Sequence, residues 1–147
     1  MEIAVLGLGC FWGPEIKFSK VSGVIKTEVG YCGGNTKETT YEEVCTGKTN
    51  HAEVVKLDFD PKIVSYEKIL EYFFEIHDST TLNSQGPDFG TQYRSEIFYL
   101  NDKQKKIANE VLDKENIKLS KKVVTKISLL KNYYAAEEHH QKYLEKR

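Results

Sequence analysis

Two strand-like segments follow one another with no full-length helix between them, and this limits the fold more than any other feature of the sequence. Residues 24–29 alternate between apolar and charged side chains, and their buried face is predicted to hold Ile25, Thr27 and Val29. Residues 51–59 alternate again, and the polar segment 35–50 between the two offers only a short helical turn. Because a doubly wound parallel sheet needs a long crossover between its strands, the pattern favours a mixed or antiparallel sheet.

The remaining segments alternate between strand and helix signals. Apolar runs at 3–6 and 95–100 and an alternating run at 123–129 predict three further strands. Helices are predicted to begin at Pro14, after Ser65 and after Asn101-Asp102, and a last one to cover about 135–146. The order βα-ββα-βα-βα predicts one α/β (α+β) domain over 1–147, with helices packed on the sheet in the split βαβ manner.

Composition excludes several classes of protein. The 147 residues carry 22 acidic and 21 basic side chains, so net charge gives no reason to expect nucleic acid or an anionic membrane as a partner. No apolar run is long enough to cross a membrane, and the short N-terminal run has no basic residues before it, so we expect a cytoplasmic protein. Three cysteines without a CxxC pair argue against a disulfide scaffold and a structural zinc site.

Cys10 is the first candidate for chemistry. It stands in Gly9-Cys10-Phe11-Trp12-Gly13, between a predicted strand and a predicted helix. Free N–H groups and the positive end of a helix dipole are expected to lower the pKa of its thiol and make it a nucleophile. Phe11 and Trp12 are predicted to wall an apolar site. The competing interpretation is a buried structural cysteine in a glycine turn.

Glu53 is the second candidate, because it shares its face of the strand with apolar residues. Strict alternation places it with Val55, Leu57 and Phe59. Burial of a carboxyl group raises its pKa, which would let Glu53 act as a general acid. The alternative is a solvated position at the beginning of the strand.

A third candidate is the segment 78–94, which is polar and has no periodicity. Segments of this length inside a compact domain are uncommon and often functional. We expect an ordered loop at the active site, with Asp88, Gln92 and Tyr93 as candidates. A mobile surface loop is the alternative.

These residues leave more than one function open. In one, a Cys10 thiolate attacks an electrophilic heteroatom while Glu53 protonates the leaving oxygen. In another, the protein is a cysteine hydrolase that transfers an acyl group, with a base among His51, His77, His139 and His140. Glu137 and His140 would share a helix face, but one such pair is a weak metal signal, and a non-catalytic binding module fits if Cys10 is inert.

The chain resembles the peptide methionine sulfoxide reductase A family over nearly its whole length. The similar blocks are 9–15 (GCFWGPE), 30–34 (GYCGG), 41–47 (YEEVCTG), 51–55 (HAEVV), 85–95 (QGPDFGTQYRS), 134–137 (YAAE) and 140–141 (HQ). The resemblance implies a ferredoxin-like two-layer sandwich and thiol-dependent reduction of methionine-S-sulfoxide, free or in proteins. It identifies the chain as a repair enzyme for oxidised methionine.

The resemblance also implies a role for each site residue. Cys10 matches the nucleophile that attacks the sulfoxide sulfur and is left as a sulfenic acid, and Glu53 matches the acid that protonates the oxygen. Tyr41 and Tyr93 match phenols that hydrogen-bond that oxygen, and Asp88 matches a supporting polar residue. Phe11 and Trp12 match the pocket for the S-methyl group. No metal or bound cofactor is implied.

Recycling of the sulfenic acid is where the sequence departs from the family. Relatives often carry a resolving cysteine in a C-terminal tail, and no cysteine follows Cys45 here. We therefore expect reduction by an external thiol such as thioredoxin, glutaredoxin or glutathione, with Cys32 as a candidate resolving residue and Cys45 as a small buried residue. Asn50, Ser79 and Ser84 also depart from the family pattern. The protein is expected to be a monomer that binds oxidised proteins, peptides or free methionine sulfoxide.

Overall fold

Within residues 1–119 and 122–146, which the structure, a computed structural model, describes, the chain forms a six-stranded sheet, a two-stranded hairpin and helices between the strands. In chain order the elements are β1 (Glu2–Leu8), α1 (Trp12–Ser19), β2 (Val24–Cys32), α2 (Tyr41–Cys45), β3 (Ala52–Phe59), α3 (Tyr66–Glu75), β4 (Ser84–Gln85), β5 (Asp88–Phe89), a 3-10 turn (Thr91–Tyr93), β6 (Ser95–Tyr99), α4 (Asp102–Lys118), β7 (Lys126–Leu129), β8 (Tyr134–Ala135), a 3-10 turn (Glu138–His140) and α5 (Tyr143–Lys146).

The sheet is mixed, as the sequence predicts. Its strand order is β7-β6-β1-β3-β2-β8. The β6–β7 pair is parallel and the other pairs are antiparallel. β2 and β3 are neighbours, and β3 lies between β1 and β2, so α1 connects two strands that are separated by a third. This arrangement brings the end of β1 beside the beginning of β3.

Helices α1, α3 and α4 cover one face of the sheet. Phe18, Phe73 and Val111, one from each helix, belong to the same buried cluster as Leu6 and Leu57 from the central strands. The other face holds a smaller cluster, covered by chain from the 130–133 region, whose members include Val5, Cys32, Val54, Phe98 and Tyr133. The helix-covered face therefore holds the main core, and it is the face that Glu53 shares with Val55.

Two local predictions in the first third of the chain differ from the structure. α1 begins at Trp12 rather than Pro14, so Pro14 is the third helical residue. Ile25 is not on the buried face: its side chain is 61% exposed, because the pairing register between β2 and β3 shifts between Val24 and Lys26. Such a bulge reverses the alternation on one side of it.

The largest difference is near the C-terminus. The helix predicted over 135–146 is wrong, since these residues form β8, a 3-10 turn and the short α5. β8 pairs with β2 through Gly30 and Tyr31 and extends the sheet at that edge. The strand predicted over 123–129 begins only at Lys126. None of the described helices is both long and apolar enough to cross a membrane.

Candidate active site

Cys10 lies half-buried in the bend between β1 and α1. The chain turns at Gly9, whose φ is +98°. A Cβ added to Gly9 would lie 2.9 Å from the Gln85 side chain, so both the dihedral angle and the space require glycine. The turn therefore fixes the thiol at the end of the sheet where β1 and β3 meet.

The thiol of Cys10 is not acidic in the free protein. Burial raises its pKa to about 12, the N–H of Trp12 lowers it, and the charges of Glu53 and Asp88 raise it further. The predicted lowering by the helix N-terminus is wrong here, because loss of hydration outweighs one backbone N–H. Cys10 thus keeps its proton at neutral pH until something in the site removes it.

Glu53 is fully buried on β3, on the face that alternation predicts. Its Oε1 accepts a hydrogen bond from the N–H of Phe11 at 3.2 Å. Its Oε2 is buried and has no hydrogen-bond partner among the described residues. Burial raises the pKa of Glu53 to about 8, the Phe11 N–H opposes the rise, and the charge of Asp88 adds to it. The carboxyl group is therefore mostly protonated at neutral pH and has one free oxygen.

Three polar residues surround this pair, each from a different segment. Tyr41 begins α2, Tyr93 ends the 3-10 turn, and Asp88 lies on β5. Burial and the charge of Glu53 raise the pKa of Tyr93 to about 12. Burial, then a hydrogen bond with Cys45 and the charge of Glu53, raises the pKa of Tyr41. Both phenols are therefore protonated donors at neutral pH, and the charge of Asp88 acts on Cys10 and Glu53 alike.

Phe11 and Trp12 form an aromatic wall next to the thiol. Phe11 is 1% exposed, and its ring centroid lies 5.7 Å from that of Tyr31 and 6.5 Å from that of Tyr41. The indole of Trp12 stacks on Tyr143, with 3.9 Å between centroids and 11° between planes. The two rings the sequence singles out are thus packed into an aromatic cluster and leave Cys10 beside apolar surface.

Glu137 and His140 lie at the site, although the sequence offered His140 only as a base in the acyl-transfer alternative and the two together only as a weak metal pair. Glu137 Oε1 accepts from the Tyr31 hydroxyl at 2.7 Å and its Oε2 accepts from the Tyr41 N–H at 3.0 Å. Burial alone would raise the pKa of Glu137, but these two bonds, its own backbone N–H and the charge of His140 together hold the pKa below its ordinary value. His140 Nδ1 accepts from the indole N–H of Trp12 at 3.2 Å. The sequence signal for both residues was their place in the blocks 134–137 and 140–141, which resemble the family. The helix predicted over 135–146 hid the contacts that these residues make.

The two other cysteines lie in different surroundings. Cys32 is fully buried on the face of the sheet opposite Glu53, and its thiol donates to the Lys131 carbonyl at 3.2 Å. Cys45 is exposed rather than buried, which corrects the prediction, and it lines a groove of about 410 Å³ with Lys48 and Phe89 among its other lining residues. Of the two, Cys45 is the thiol on the Cys10 side of the sheet, because it ends α2 and is hydrogen-bonded to Tyr41, whose ring lies against Phe11.

The surroundings of the four histidines do not support a role as the base for Cys10. His77 bonds Ser95 and the Phe73 carbonyl, His140 bonds Trp12, and His51 is buried beneath Gly34. His139 is exposed and lies against His140. No hydrogen bond joins any of the four to Cys10 in the described part of the chain. Among residues 1–119 and 122–146 there is also no group of three or more His, Cys, Asp or Glu side chains arranged to bind a metal ion.

Comparison with known proteins gives a family match over nearly the whole chain. The family model for peptide methionine sulfoxide reductase matches residues 2–147. A peptide methionine sulfoxide reductase MsrA of Pelagibacter ubique is 80% identical over 147 residues, which is all of both chains.

Solved structures agree. The reduced form of Mxr1 from Saccharomyces cerevisiae superposes with a TM-score of 0.95 at 38% identity, covering 99% of this chain and 85% of the other. The same yeast protein in complex with Trx2 gives a TM-score of 0.69 at 26% identity, covering 97% of this chain and 84% of the other. The fold and the whole length of the sequence therefore lead to one family.

Proposed function

The chain belongs to the peptide methionine sulfoxide reductase family and reduces methionine-S-sulfoxide to methionine, and we propose that Cys10 and Glu53 carry out this reaction. The observation that carries the proposal is the free oxygen of Glu53. A carboxyl group that is fully buried, protonated and without a partner at Oε2 among the described residues is ready to donate to an incoming oxygen. The sulfoxide oxygen is the group that needs such a proton.

The exchange of atoms in the reaction is balanced. Cys10 Sγ attacks the sulfoxide sulfur, and the sulfoxide oxygen accepts a proton from Glu53 as its bond to the substrate sulfur weakens. The oxygen ends on Cys10 as a sulfenic acid and methionine leaves. The substrate sulfur is reduced by two electrons and Cys10 is oxidised by two. The bond formed between the two sulfurs and the substrate S–O bond both break as the OH group passes to Sγ. The S–OH proton comes from Glu53, and the Cys10 thiol proton restores the Glu53 carboxyl group, so the step consumes no other reagent.

The high pKa of Cys10 fits this sequence of proton transfers. Once Glu53 has given its proton to the sulfoxide oxygen, its carboxylate is a base whose charge acts on the Cys10 thiol. The carboxylate can then take the Cys10 proton. Burial makes both ionised forms costly, so a transfer that keeps the total charge of the pair constant is favoured. The thiolate would thus form only when substrate is bound, which explains how a thiol with a pKa of about 12 can react at neutral pH.

Tyr41, Tyr93 and Asp88 support the polarised oxygen in this proposal. The two phenols keep their protons, so both are available as donors to the oxygen while negative charge develops on it. Asp88 helps to keep Glu53 protonated, because its charge raises the pKa of that carboxyl group. Phe11 and Trp12 would hold the S-methyl group, which needs an apolar surface from which water is excluded.

For recycling, we infer that an external thiol reduces the sulfenic acid. Cys32 lies on the other face of the sheet and bonds the Lys131 carbonyl, which speaks against it as the resolving residue. The yeast relative in complex with Trx2 supports a thioredoxin as the reductant. Oxidised peptides and free methionine sulfoxide are the proposed substrates.

The name of the fold is also a proposal. The central strands in the order β6-β1-β3-β2, with α1 and α3 as crossovers on one face, support a ferredoxin-like two-layer unit. β7 and β8 would then be additions at the two edges of that unit.

Substitution of the thiol tests the assignment of the nucleophile. Cys10→Ser should abolish methionine formation from the S sulfoxide with dithiothreitol as the reductant, because an oxygen nucleophile attacks sulfur poorly. The matched control is Cys32→Ala, which removes a thiol on the opposite face and should remain active. Neither protein should reduce the R sulfoxide. Substantial residual turnover by Cys10→Ser would overturn the assignment.

A further inference from the structure

Trp12 is held in place by chain that lies far from it in the sequence. Its indole N–H donates to His140 and its ring stacks on Tyr143, and these partners follow it by more than a hundred residues. Trp12 itself is half-buried on the first turn of α1, so its own helix does not enclose it. The orientation of the Trp12 ring therefore depends on the contacts that hold the segment 137–143 in place.

Gln141 fixes this segment to the sheet. Its Oε1 accepts from the Val29 N–H and its Nε2 donates to the Val29 carbonyl, both at 2.9 Å. The same Nε2 donates to the Ala136 carbonyl at 2.9 Å. β8 pairs with β2 at Gly30 and Tyr31, and the Ala136 N–H also donates to the Val29 carbonyl at 3.0 Å. The Gln141 amide therefore shares the Val29 carbonyl with this backbone bond and supplies the acceptor for the Val29 N–H.

Glu15 fixes the next residue of the segment to α1. Its Oε1 accepts from the Lys142 N–H at 2.6 Å, and its Oε2 accepts from the Thr27 hydroxyl at 2.9 Å. The Lys142 ammonium also donates to Thr27 at 3.4 Å. Lys142 has a φ of +50°, which turns the chain so that Tyr143 comes to lie on Trp12. Glu15 is 2% exposed, although it is an acidic residue in the first turn of a helix.

From these contacts we propose that Glu15 and Gln141 are positioning residues for substrate binding. Together they clasp the segment 137–143 onto α1 and β2, so that His140 and Tyr143 hold Trp12 in the orientation that receives the S-methyl group. The proposal rests on the proposed function in one respect, the assignment of Trp12 to the methyl pocket. Neither residue touches the substrate, and each acts through Trp12.

The single tryptophan of the chain makes the clasp measurable without any assay of activity. Fluorescence excited at wavelengths that tyrosine does not absorb reports on Trp12 alone. Glu15→Gln keeps the size of the side chain and removes an acceptor for either Lys142 or Thr27. We expect emission shifted to longer wavelength and stronger quenching by acrylamide, because the indole is less enclosed. Glu75→Gln makes the same chemical change at an exposed position of α3 and should leave both unchanged.

Kinetics provide the second measurement. Loosening of an apolar wall removes binding that ground state and transition state share, so KM should rise while kcat changes little. We expect KM for methionine-S-sulfoxide to rise about tenfold in Glu15→Gln, at the low end of what one methyl group contributes in an apolar pocket. Gln141→Leu, which removes the amide at a partly exposed position, should raise KM in the same way and serves if Glu15→Gln does not fold.

Trp12→Ala separates the two proposals. If it leaves KM unchanged, the assignment of Trp12 to the pocket is wrong, whatever Glu15 does. If Trp12→Ala raises KM but Glu15→Gln and Gln141→Leu alter neither fluorescence nor KM, the clasp is wrong and the pocket stands. A lower melting temperature in both clasp variants with wild-type fluorescence and KM would likewise reduce Glu15 and Gln141 to structural residues.

Discussion

At the scale of single residues, the site is governed by burial more than by nearby charge. Burial is the largest cause of the pKa shifts of Cys10, Glu53 and Tyr93. It raises all three, so these three groups keep their protons at neutral pH in the free protein. Protonated groups suit a neutral substrate whose oxygen must be protonated before its bond to sulfur can break.

Glu53→Gln is the sharpest test at this scale. Gln cannot donate a proton as an acid does, so turnover should fall by roughly 100-fold or more. In the wild type the active form of Glu53 is protonated, and the rate should decline as pH rises past about 8. This alkaline limb should be absent in the Gln variant. Turnover and its pH dependence are measured under saturating dithiothreitol, and near-normal turnover would return Glu53 to a structural role.

Stability gives an independent control for the same variant. The folded pKa of Glu53 lies above the ordinary value of 4.5, so the folded state binds the proton more tightly than the unfolded chain does. Its contribution is complete below pH 4.5 and is lost as pH rises through about 8. Glu53→Gln should therefore be at least as stable as the wild type at pH 9 in urea unfolding. Loss of activity together with loss of stability at that pH would contradict the catalytic interpretation.

At the scale of elements, loops and helix ends fix the site by close contact. His51, fully buried immediately before β3, lies directly against the backbone of Gly34 in the loop after β2. A Cβ on Gly34 would overlap the imidazole ring, and a rigid buried ring has little room to move.

Gly34→Ala should therefore lower the free energy of unfolding by about 1–3 kcal/mol, the usual cost of overpacking. Gly13→Ala is the matched control, since nothing lies within 4 Å of its Cβ position. In a helix, alanine is favoured over glycine by about 1 kcal/mol, so the control should be neutral or more stable. Urea unfolding measures the free energy of unfolding of both variants. Equal stability of the two would show that the loop containing Gly34 moves at little energetic cost.

A chain of hydrogen bonds ties α3 to β6 and to the residue before β7. His77 Nδ1 lies 2.5 Å from the Phe73 carbonyl and must donate to it, so Nε2 accepts from the Ser95 hydroxyl at 2.7 Å. Ser95 then accepts from the Thr125 hydroxyl at 2.7 Å. This order of donors requires neutral His77, and burial lowers the pKa of His77 to about 4.

Acid should break this chain. The folded pKa of His77 lies below the ordinary value of 6.5, so its contribution to stability is present above pH 6.5 and is lost as pH falls towards about 4. The loss is at most about 3 kcal/mol. His77→Gln should show a shallower decline of unfolding free energy between pH 6.5 and 4, whereas His139→Gln, at an exposed position, should decline as the wild type does. Identical slopes in all three proteins would rule out this role.

At the scale of the whole molecule, the proposed recycling by an external thiol predicts the course of one turnover. Without reductant, reduced enzyme given excess substrate should release about one methionine per chain and keep a sulfenic acid on Cys10. Mass spectrometry and thiol counting measure both products. Cys32→Ala should give the same result, because Cys32 faces the other side of the sheet. An intramolecular disulfide from Cys10 to Cys32 or Cys45 would refute recycling by an external thiol.

The sequence predicts those parts of the fold in which pattern and environment agree. Strict alternation correctly places Glu53 inside, and Ser65 and Asn101 cap α3 and α4 as predicted, through bonds to Lys68 N and Gln104 N. Asn50, which stands where the family usually has glycine, has a φ of +59°, a conformation that Asn tolerates better than most residues. The roles of Tyr41, Tyr93 and Asp88 stay predictions.

Several failures share a cause, which is a partner distant in sequence. Residues 135–146 have helical composition. The unpaired edge of β2 instead forms hydrogen bonds with β8 and with the Gln141 amide, and these bonds replace the predicted helix. Glu15 is buried because its partner is the N–H of Lys142, 127 residues away, which no local pattern shows. The pKa of Cys10 depends on burial by segments from several parts of the chain, whereas the prediction used only the helix that follows it.

During synthesis on the ribosome, Cys10 emerges long before the chain that encloses its site. His140 follows Trp12 by 128 residues, and Glu53, Asp88 and Tyr93 also come later. A nascent chain therefore exposes this thiol with the acidity of an ordinary cysteine, about pKa 8.5. Folding then suppresses its ionisation. The thiolate of Cys10, the form that oxidants attack, is therefore more populated in the newborn polypeptide than in the free, folded protein.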